Sequence, residues 1–231
     1  MKYTINFLLF TILFCAAPAM QAMGMLQAIG KFKLGRYVAY AQKKDIAYYT
    51  EKNIRRLDAL LSCKVIEECF INEGLKTPSR EMGKKLLPLF ESLKMKFGNI
   101  NDVALASGDF SAQLGMMMSC QECDHKLVIV DHNLCNNLNA ASQQFIIAHE
   151  LAHASKDHVK ELHAFQNQTA GEMETLLHEQ EHEADAEAAR VLGTITSAVE
   201  FFTNWIEAEA SSQTHPSNKK RIEKLLALQI K

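Results

Sequence analysis

Apolar residues recur at spacings of three and four along most of the chain, a pattern that predicts helices separated by short polar segments. A first helical stretch covers residues 26–72. A second helix is expected to begin near Thr77 and Pro78 and to stop at Gly98, and Pro88 inside it should kink or break it. The first part of the chain is therefore expected to be helical.

Two short apolar runs differ from this pattern and are the best strand candidates. They cover residues 102–110 and 127–131, and the second is a β-branched run bounded by polar residues. We expect one domain that is mainly α-helical with a small β-sheet, an α+β fold. From residue 140 onward the pattern is helical again, with helices expected at residues 140–163, 172–192, 196–209 and 218–228.

The first 22 residues have the layout of a secretory signal peptide. Lys2 supplies a positive start, residues 5–14 are almost entirely apolar, and small residues follow with Ala-x-Ala spacing at Ala17 and Ala19. The apolar run is shorter than the roughly 20 residues that span a bilayer, which makes an uncleaved anchor the secondary interpretation. We therefore expect an exported protein, periplasmic or secreted, from which residues 1–22 are removed.

Export would place the cysteines in an oxidising compartment, where disulfides are expected. Two disulfides would leave one thiol over, and the spacing does not decide the connectivity. The C-x-x-C pair formed by Cys120 and Cys123 also fits a structural zinc site or a redox pair, although disulfides are favoured in an exported chain. The cysteines concerned are Cys63, Cys69, Cys120, Cys123 and Cys135.

Composition and charge exclude one class of partner. The chain is 48% hydrophobic and 23% charged, and its 25 basic and 27 acidic residues give a net charge of −2. A nearly neutral globular chain has no basic surplus with which to hold a phosphate backbone. Nucleic acid is therefore not expected as a partner.

The sequence His149-Glu150-Leu151-Ala152-His153 is an H-E-x-x-H motif within a predicted helix. Residues four apart differ by about 40° around a helix, so both imidazoles project from one face and can bind a single ion. Glu150 lies about 100° from His149, beside such a metal, where it can act as a general base. The motif alone also arises by chance, but its neighbours are largely apolar, and these polar groups are costly to bury unless something satisfies them.

A third zinc ligand is expected from the predicted helix at residues 172–192. At about 100° per residue, Glu181 shares one side of this helix with the small residues Ala184 and Ala188, which allow a neighbouring helix to approach closely. Glu183 falls on the opposite, solvent-exposed side. The geometry therefore favours Glu181, with His178 second, among the candidates His178, Glu181, His182 and Glu183.

Asp185 follows Glu181 by one turn of the same predicted helix. It is placed to accept a hydrogen bond from the far nitrogen of a zinc-bound histidine and to fix the tautomer of that ring. We expect His149 to be its partner, so Asp185 would support the metal without binding it.

Further motifs give the chain a resemblance to a known family. The H-E-x-x-H motif is followed by E-x-x-A-D at 181–185 and by T-H-P-S at 214–217, with Arg221 next. This order over residues 127–228 resembles the gluzincin family of zinc metallopeptidases that includes the CAAX prenyl endopeptidases, related membrane quality-control proteases and short exported bacterial relatives. The resemblance implies a zincin-like metallopeptidase domain that binds one Zn2+ per chain through His149, His153 and Glu181.

The same resemblance implies roles for residues around the metal. His215 and Arg221 would stabilise the negative charge that develops during peptide-bond hydrolysis. His215 alternatively occupies the open position on zinc in a latent state. In similar peptidases an edge strand pairs with an extended substrate, which assigns substrate binding to Val128, Ile129 and Val130.

The sequence as a whole predicts an exported zinc endopeptidase with Glu150 as its base. The expected partners are extended protein or peptide substrates. The absence of multiple membrane spans favours quality control in the cell envelope, with association with the membrane or with envelope proteins. Residues 23–110 are expected to form an N-terminal helical region and residues 111–231 the catalytic core. The alternative function is a zinc-containing chaperone-like or binding module with little proteolysis.

Overall fold

The computed structural model describes residues 47–61, 67, 75–98, 100, 102–108, 115–119, 126–131, 138–165, 168–204 and 212–228. The predicted signal peptide and the five cysteines that follow it lie outside these ranges. No helix within the ranges is long and apolar enough to cross a membrane. All the residues predicted to bind or surround the metal are described.

The described chain is mainly α-helical with one small sheet, which confirms the predicted α+β class. Both strands predicted from the sequence are present, and a third strand between them was not predicted. In chain order the elements are α1 (Ala47–Leu60), α2 (Arg80–Lys96), β1 (Val103–Gly108), β2 (Gly115–Ser119), β3 (Lys126–Asp131), α3 (Ala140–Lys156), α4 (His158–Ala164), α5 (Ala170–Leu192), α6 (Thr196–Asn204) and α7 (Asn218–Leu226).

Helix α2 begins and continues differently from the sequence-based expectation. Ser79, rather than Thr77, is its N-cap, and the Ser79 hydroxyl accepts a hydrogen bond from the Met82 amide. The helix continues through Pro88, which therefore does not break it. Pro88 leaves the Lys84 carbonyl without its usual partner, but Lys84 is exposed, and water can replace a bond lost on that side.

The single helix predicted over residues 140–163 is wrong, because the chain turns at Asp157. This residue ends α3 with φ 58° and ψ 31°, the left-handed conformation, and α4 begins immediately after it. The Asp157 amide donates to the His153 carbonyl and so caps the C-terminus of α3. The Asp157 carboxylate pairs with Lys126 of β3. Among the described residues other than glycine, Asp157 alone has a positive φ.

The three strands form one sheet in the order β1–β3–β2. β3 is central, parallel to β1 and antiparallel to β2. The prediction that Val128, Ile129 and Val130 offer an open edge to substrate is wrong, because neighbouring strands already pair with β3 on both sides. The side chains of these three residues are also buried, and they serve the core.

Helix α3 lies at the centre of the fold. β2, β3, α2, α5 and α6 all contact it, and Phe145, Ile147 and Leu151 are almost completely buried. Burial of each such side chain stabilises the fold by roughly 1.5–3 kcal/mol. α2 and β1 belong to the same core cluster as α3. The core and the sheet thus extend across the predicted boundary at residue 110.

The outer edge of β1 is closed by residues from outside the sheet. Asn53 on α1 donates to the Leu105 carbonyl at 2.9 Å and accepts from the Leu105 amide at 2.8 Å. Lys76 forms an antiparallel bridge with Ser107, with backbone hydrogen bonds of 2.8 Å in both directions. These contacts satisfy backbone groups that a further strand would otherwise satisfy.

A buried carboxylate joins α1 to α2. Glu91 on α2 forms a salt bridge with Arg56 of α1, and its Oε2 lies 3.0 Å from Lys52 Nζ. Burial acts to raise the pKa of Glu91, but the hydrogen bonds from Arg56 and Lys52 outweigh it and lower the pKa below the usual 4.5. Because the folded-state pKa is lowered, Glu91 stabilises the fold above its unfolded-state pKa, and this contribution is lost as pH falls through the folded-state value.

Replacement of Asn53 by aspartate tests the closure of the sheet edge. Asn53→Asp keeps the size and the acceptor but loses the donor to Leu105 and places a carboxylate against its carbonyl. We expect the unfolding free energy to fall by about 2–4 kcal/mol, measured by urea denaturation with circular dichroism. The control Arg55→Ala loses only an exposed pair with Glu51 and should change stability by less than about 0.5 kcal/mol. Equal stability of the two variants would contradict this account of β1.

Substitution of Glu91 by glutamine, which imitates the protonated carboxyl, tests the link between α1 and α2. Glu91→Gln should destabilise the protein at pH 7, and its difference from wild type should shrink as pH falls below about 4.5. Denaturation midpoints across this pH range provide the measurement. Glu174→Gln, at an exposed position of α5, is the matched control and should follow wild type throughout. A difference for Glu91→Gln that does not change with pH would show that the charge is not involved.

Candidate metal centre

Helix α3 presents two imidazoles from a largely apolar sequence. His149 and His153 lie one turn apart, and their Nε2 atoms are 3.0 Å apart. Ala148, Leu151 and Ala152 around them are fully buried. The predicted geometry of the motif is confirmed, since both rings converge on one point.

Helix α5 brings a carboxylate to the same point. Glu181 is 8% exposed; its Oε2 lies 3.4 Å from His149 Nε2, and its Oε1 lies 3.3 Å from His153 Nε2. Ala188 belongs to the core cluster that contains α3, and its small side chain allows the two helices to approach closely. The prediction that Glu181 faces the two histidines is confirmed.

The three side chains fit a metal ion. A tetrahedral zinc ion with ligand bonds of about 2.0–2.1 Å separates its ligand atoms by about 3.3 Å. Here the two imidazole nitrogens are 3.0 Å apart, and one Glu181 oxygen lies 3.4 Å from His149 while the other lies 3.3 Å from His153. Glu181 Oε2 is buried and accepts no well-aligned hydrogen bond from the described residues, and Arg221 Nη2 lies 3.1 Å from it. A buried carboxylate is costly unless positive charge balances it. The buried group of His149, His153 and Glu181 could therefore hold a metal ion.

The charges around this point favour a cation. Burial acts to lower the pKa of His149, but Glu181 and Asp185 outweigh it and raise the pKa to about 10. Burial acts to raise the pKa of Glu181, but Arg221 and His149 hold it well below its usual range. A proton is therefore held between these groups when no metal is bound, and a metal ion must displace it.

Glu150, the predicted base, is buried on α3 next to His149. Burial raises the pKa of its carboxyl, and the opposing influence of His149 and His153 is smaller. Glu150 is not among the ligand atoms that converge, as expected from its rotation of about 100° around the helix. It lies beside the candidate metal position without occupying it.

Asp185 and Arg221 form a buried ion pair behind His149. Arg221 Nε donates to Asp185 Oδ2 at 2.7 Å, and Nη2 donates to Oδ1 at 2.6 Å. Asp185 Oδ1 lies 3.0 Å from His149 Nδ1, which confirms the predicted partner. The Arg221 guanidinium also lies 4.3 Å from the centre of the Phe202 ring, and its Nη2 is 3.1 Å from Glu181 Oε2.

This geometry corrects the role expected of Arg221. The resemblance implied that its charge acts directly on the reacting groups, but the side chain is buried and two of its nitrogens bind Asp185. Burial acts to raise the pKa of Asp185, and the guanidinium outweighs it and lowers that pKa. Arg221 therefore keeps Asp185 ionised and in place, and it positions the site from behind.

The segment at residues 212–217 carries His215 next to the convergent group. His215 Nε2 lies 3.6 Å from Glu181 Oε1, and 42% of its side chain is exposed. His215 Nδ1 lies 2.7 Å from Thr214 Oγ1, and its backbone amide donates to the Ser212 hydroxyl at 2.9 Å. His215 is therefore close to the ligands, as the resemblance implied, and its ring is reachable from solvent.

The other candidates on α5 are engaged elsewhere. His178 Nε2 lies 2.8 Å from the Ser212 carbonyl oxygen, so His178 holds the His215 segment instead of a metal. Glu183 is exposed and pairs with Lys156 on α3. His182 is half-buried and does not belong to the convergent group. The prediction that Glu181, and not Glu183, faces the two histidines of α3 is therefore confirmed.

One histidine next to the site was not identified from the sequence. His158, the first residue of α4, is 2% exposed, and its Nδ1 lies 2.9 Å from His153 Nδ1. Burial, with a smaller effect of His153, lowers the pKa of His158 to about 4. An uninterrupted helix would turn this residue about 140° away from His153. No local pattern indicated the turn at Asp157, so this contact could not be predicted from the sequence.

Comparisons of the chain with protein-family models, with curated proteins and with solved structures found no match. What can be said of the site therefore depends on the geometry of the described residues and on the motifs in the sequence. Both lead to His149, His153 and Glu181 as a group able to hold a metal ion.

Proposed function

We propose that this protein is a zinc-dependent endopeptidase that hydrolyses peptide bonds in extended protein segments. The observation that carries the proposal is the convergence of His149, His153 and Glu181, with the buried carboxyl of Glu150 beside them. Two imidazoles and one carboxylate are the donors of His2Glu catalytic zinc sites, whereas structural zinc sites normally have four protein ligands. Within the described ranges three protein groups converge here.

Glu150 would act as the proton carrier of the reaction. Bound zinc would lower the pKa of a coordinated water to about 7 and polarise the substrate carbonyl. Glu150 would take a proton from the attacking water and deliver it to the leaving amine. Burial raises the pKa of the Glu150 carboxyl, so it accepts a proton more readily than an exposed carboxylate would, as the first of these steps requires.

His215 would stabilise the negative charge that develops on the substrate carbonyl oxygen. Its ring is partly exposed and lies next to Glu181, so a substrate at the ligand group would meet it. The Thr214 hydroxyl at Nδ1 orients the ring and leaves Nε2 to face the site. A hydrogen bond from Nε2 would strengthen as charge develops on that oxygen.

Strand β2 is the better candidate to bind the extended substrate, in place of Val128 to Val130. It is an outer strand of the sheet, since β3 is its one neighbour among the described strands. β2 also contacts α3, the helix that carries His149 and His153. Backbone pairing along β2 would hold a substrate with little dependence on its sequence.

The resemblance to the gluzincin family with the CAAX prenyl endopeptidases supports this proposal, and a zincin-like domain is part of it. The signal-peptide layout of residues 1–22 supports export to the periplasm or the outside of the cell. The resemblance, without the multiple membrane spans of the larger family members, supports a role in quality control of envelope proteins. The alternative is a zinc-containing chaperone-like module. The buried Glu150 favours the enzyme, because a binding module has no use for a base beside its metal.

Glu150→Gln is the direct test of the enzyme. The variant should retain one Zn2+ per chain, because Glu150 is not a ligand, and should lose about 10²–10⁴-fold in the rate of casein hydrolysis. Metal content by mass spectrometry and fluorescence-labelled casein provide the two measurements. Cleavage at the wild-type rate would contradict the mechanism. A wild-type protein that binds zinc and unfolded protein but cuts neither casein nor peptides would favour the chaperone-like alternative.

Substitutions of Glu181 and Glu183, two positions apart on α5, test which of the two glutamates is the metal ligand. Glu181→Ala should weaken Zn2+ binding by more than the roughly 10–100-fold that loss of an outer partner causes, and Asp185→Asn should fall within that range. Glu183→Ala, which removes an exposed carboxylate, should bind Zn2+ almost as wild type does. Competition with a chromogenic chelator gives the affinities. Tight binding that survives in Glu181→Ala and is lost in Glu183→Ala would overturn the assignment.

A further inference from the structure

The turn at the end of α3 determines where the next residue points. The left-handed conformation of Asp157 is disfavoured for a residue with a side chain. It is held by the pair with Lys126 and by the hydrogen bond from the Asp157 amide to the His153 carbonyl. Because of this turn, His158 leaves the path of α3 and its ring returns to His153. A strained turn anchored from the sheet indicates that the placement of His158 matters.

The ring of His158 has a partner at each nitrogen. Nδ1 lies 2.9 Å from His153 Nδ1, and Nε2 lies 3.4 Å from Glu183 Oε2. The His158 backbone carbonyl accepts a hydrogen bond from Gln180 Nε2 at 3.2 Å, which ties the start of α4 to α5. The buried ring is therefore held in one orientation.

The partners also determine where the protons are. When His153 binds a metal through Nε2, its remaining proton is on Nδ1 and is donated to His158 Nδ1. His158 then carries its own proton on Nε2, which faces the Glu183 carboxylate. That carboxylate accepts from Lys156 Nζ at 2.7 Å and has no proton to donate. In the row formed by His153, His158 and Glu183, every donor faces an acceptor. A single arrangement of protons therefore satisfies all three side chains.

We propose that His158 is a positioning residue that fixes the tautomer and the ring orientation of His153, in parallel with Asp185 at His149. The inference rests on the proposed role of His149, His153 and Glu181 as metal ligands. His158 differs from Asp185 in charge, because an imidazole acceptor adds no negative charge to a site that already holds three carboxyl groups. The two histidines are thus oriented from different elements, His149 by α5 and His153 by α4.

Two substitutions of His158 in the full chain test the proposal. Leucine fills much of the volume but offers no acceptor, whereas the Oδ1 of asparagine takes about the position of histidine Nδ1. We expect His158→Leu to weaken Zn2+ binding by about 10–100-fold and His158→Asn to stay within about threefold of wild type. Glu174→Ala, at an exposed position of α5 away from these contacts, is the control and should bind Zn2+ as wild type does. Chelator competition measures the affinities, and circular dichroism checks that each variant is folded.

A second measurement needs no substitution at His158. In zinc-loaded protein with 15N-labelled histidine, a scalar coupling across the N–H···N hydrogen bond should connect His153 Nδ1 to His158 Nδ1. The coupling should persist in Glu150→Gln. If this coupling is absent, or if His158→Leu binds Zn2+ as tightly as wild type does, the proposed role of His158 is wrong. The proposed function would not be affected by either result. If wild-type protein binds no Zn2+, the proposed function and this inference fail together.

Discussion

The buried carboxylates of Glu181 and Asp185 must be balanced by positive charge, and much of the structure around α5 serves this requirement. An isolated charge inside a protein costs several kcal/mol. Arg221 supplies one balancing charge and binds Asp185 through two nitrogens. Glu181 faces two imidazoles, and Arg221 Nη2 lies 3.1 Å from its Oε2. The group that Glu181 forms with these imidazoles could hold a metal ion as a second positive charge. Helix α7, which carries Arg221, therefore contributes to the site together with α3 and α5.

Helix α3 combines two tasks that are usually separate, since it is the central core element and also carries the two imidazoles of the candidate metal site. The Phe145 ring lies 6.0 Å from the His149 ring and packs against Phe201 and Phe202. Phe202 also lies under the guanidinium of Arg221. Packing and charge therefore fix the same side chains, and the histidine rings have little freedom to turn. Sites on such rigid elements hold their geometry better than sites on loops.

How much could be predicted from the sequence depended on whether a feature lies within a regular element. Glu181 could be separated from Glu183 because both lie in one unbroken helix, where the angle between them is known. The place of β3 in the sheet could not be predicted, because strand order depends on pairing between distant residues. The contact of His158 with His153 depends on the left-handed conformation of one residue, and that turn is anchored by Lys126 on a different element. Local patterns contain neither kind of information.

The contacts of Asn53 and Lys76 also limit how molecules of this protein can join one another. They cover β1 at Leu105 and Ser107, so a strand from a second copy cannot pair there. Among the described strands, β2 is then the remaining place for such pairing. Two copies that joined through β2 would form a sheet with a β1 strand at each end. Pairing through the described strands would then stop at two copies, because β1 is covered and offers no place for a further strand.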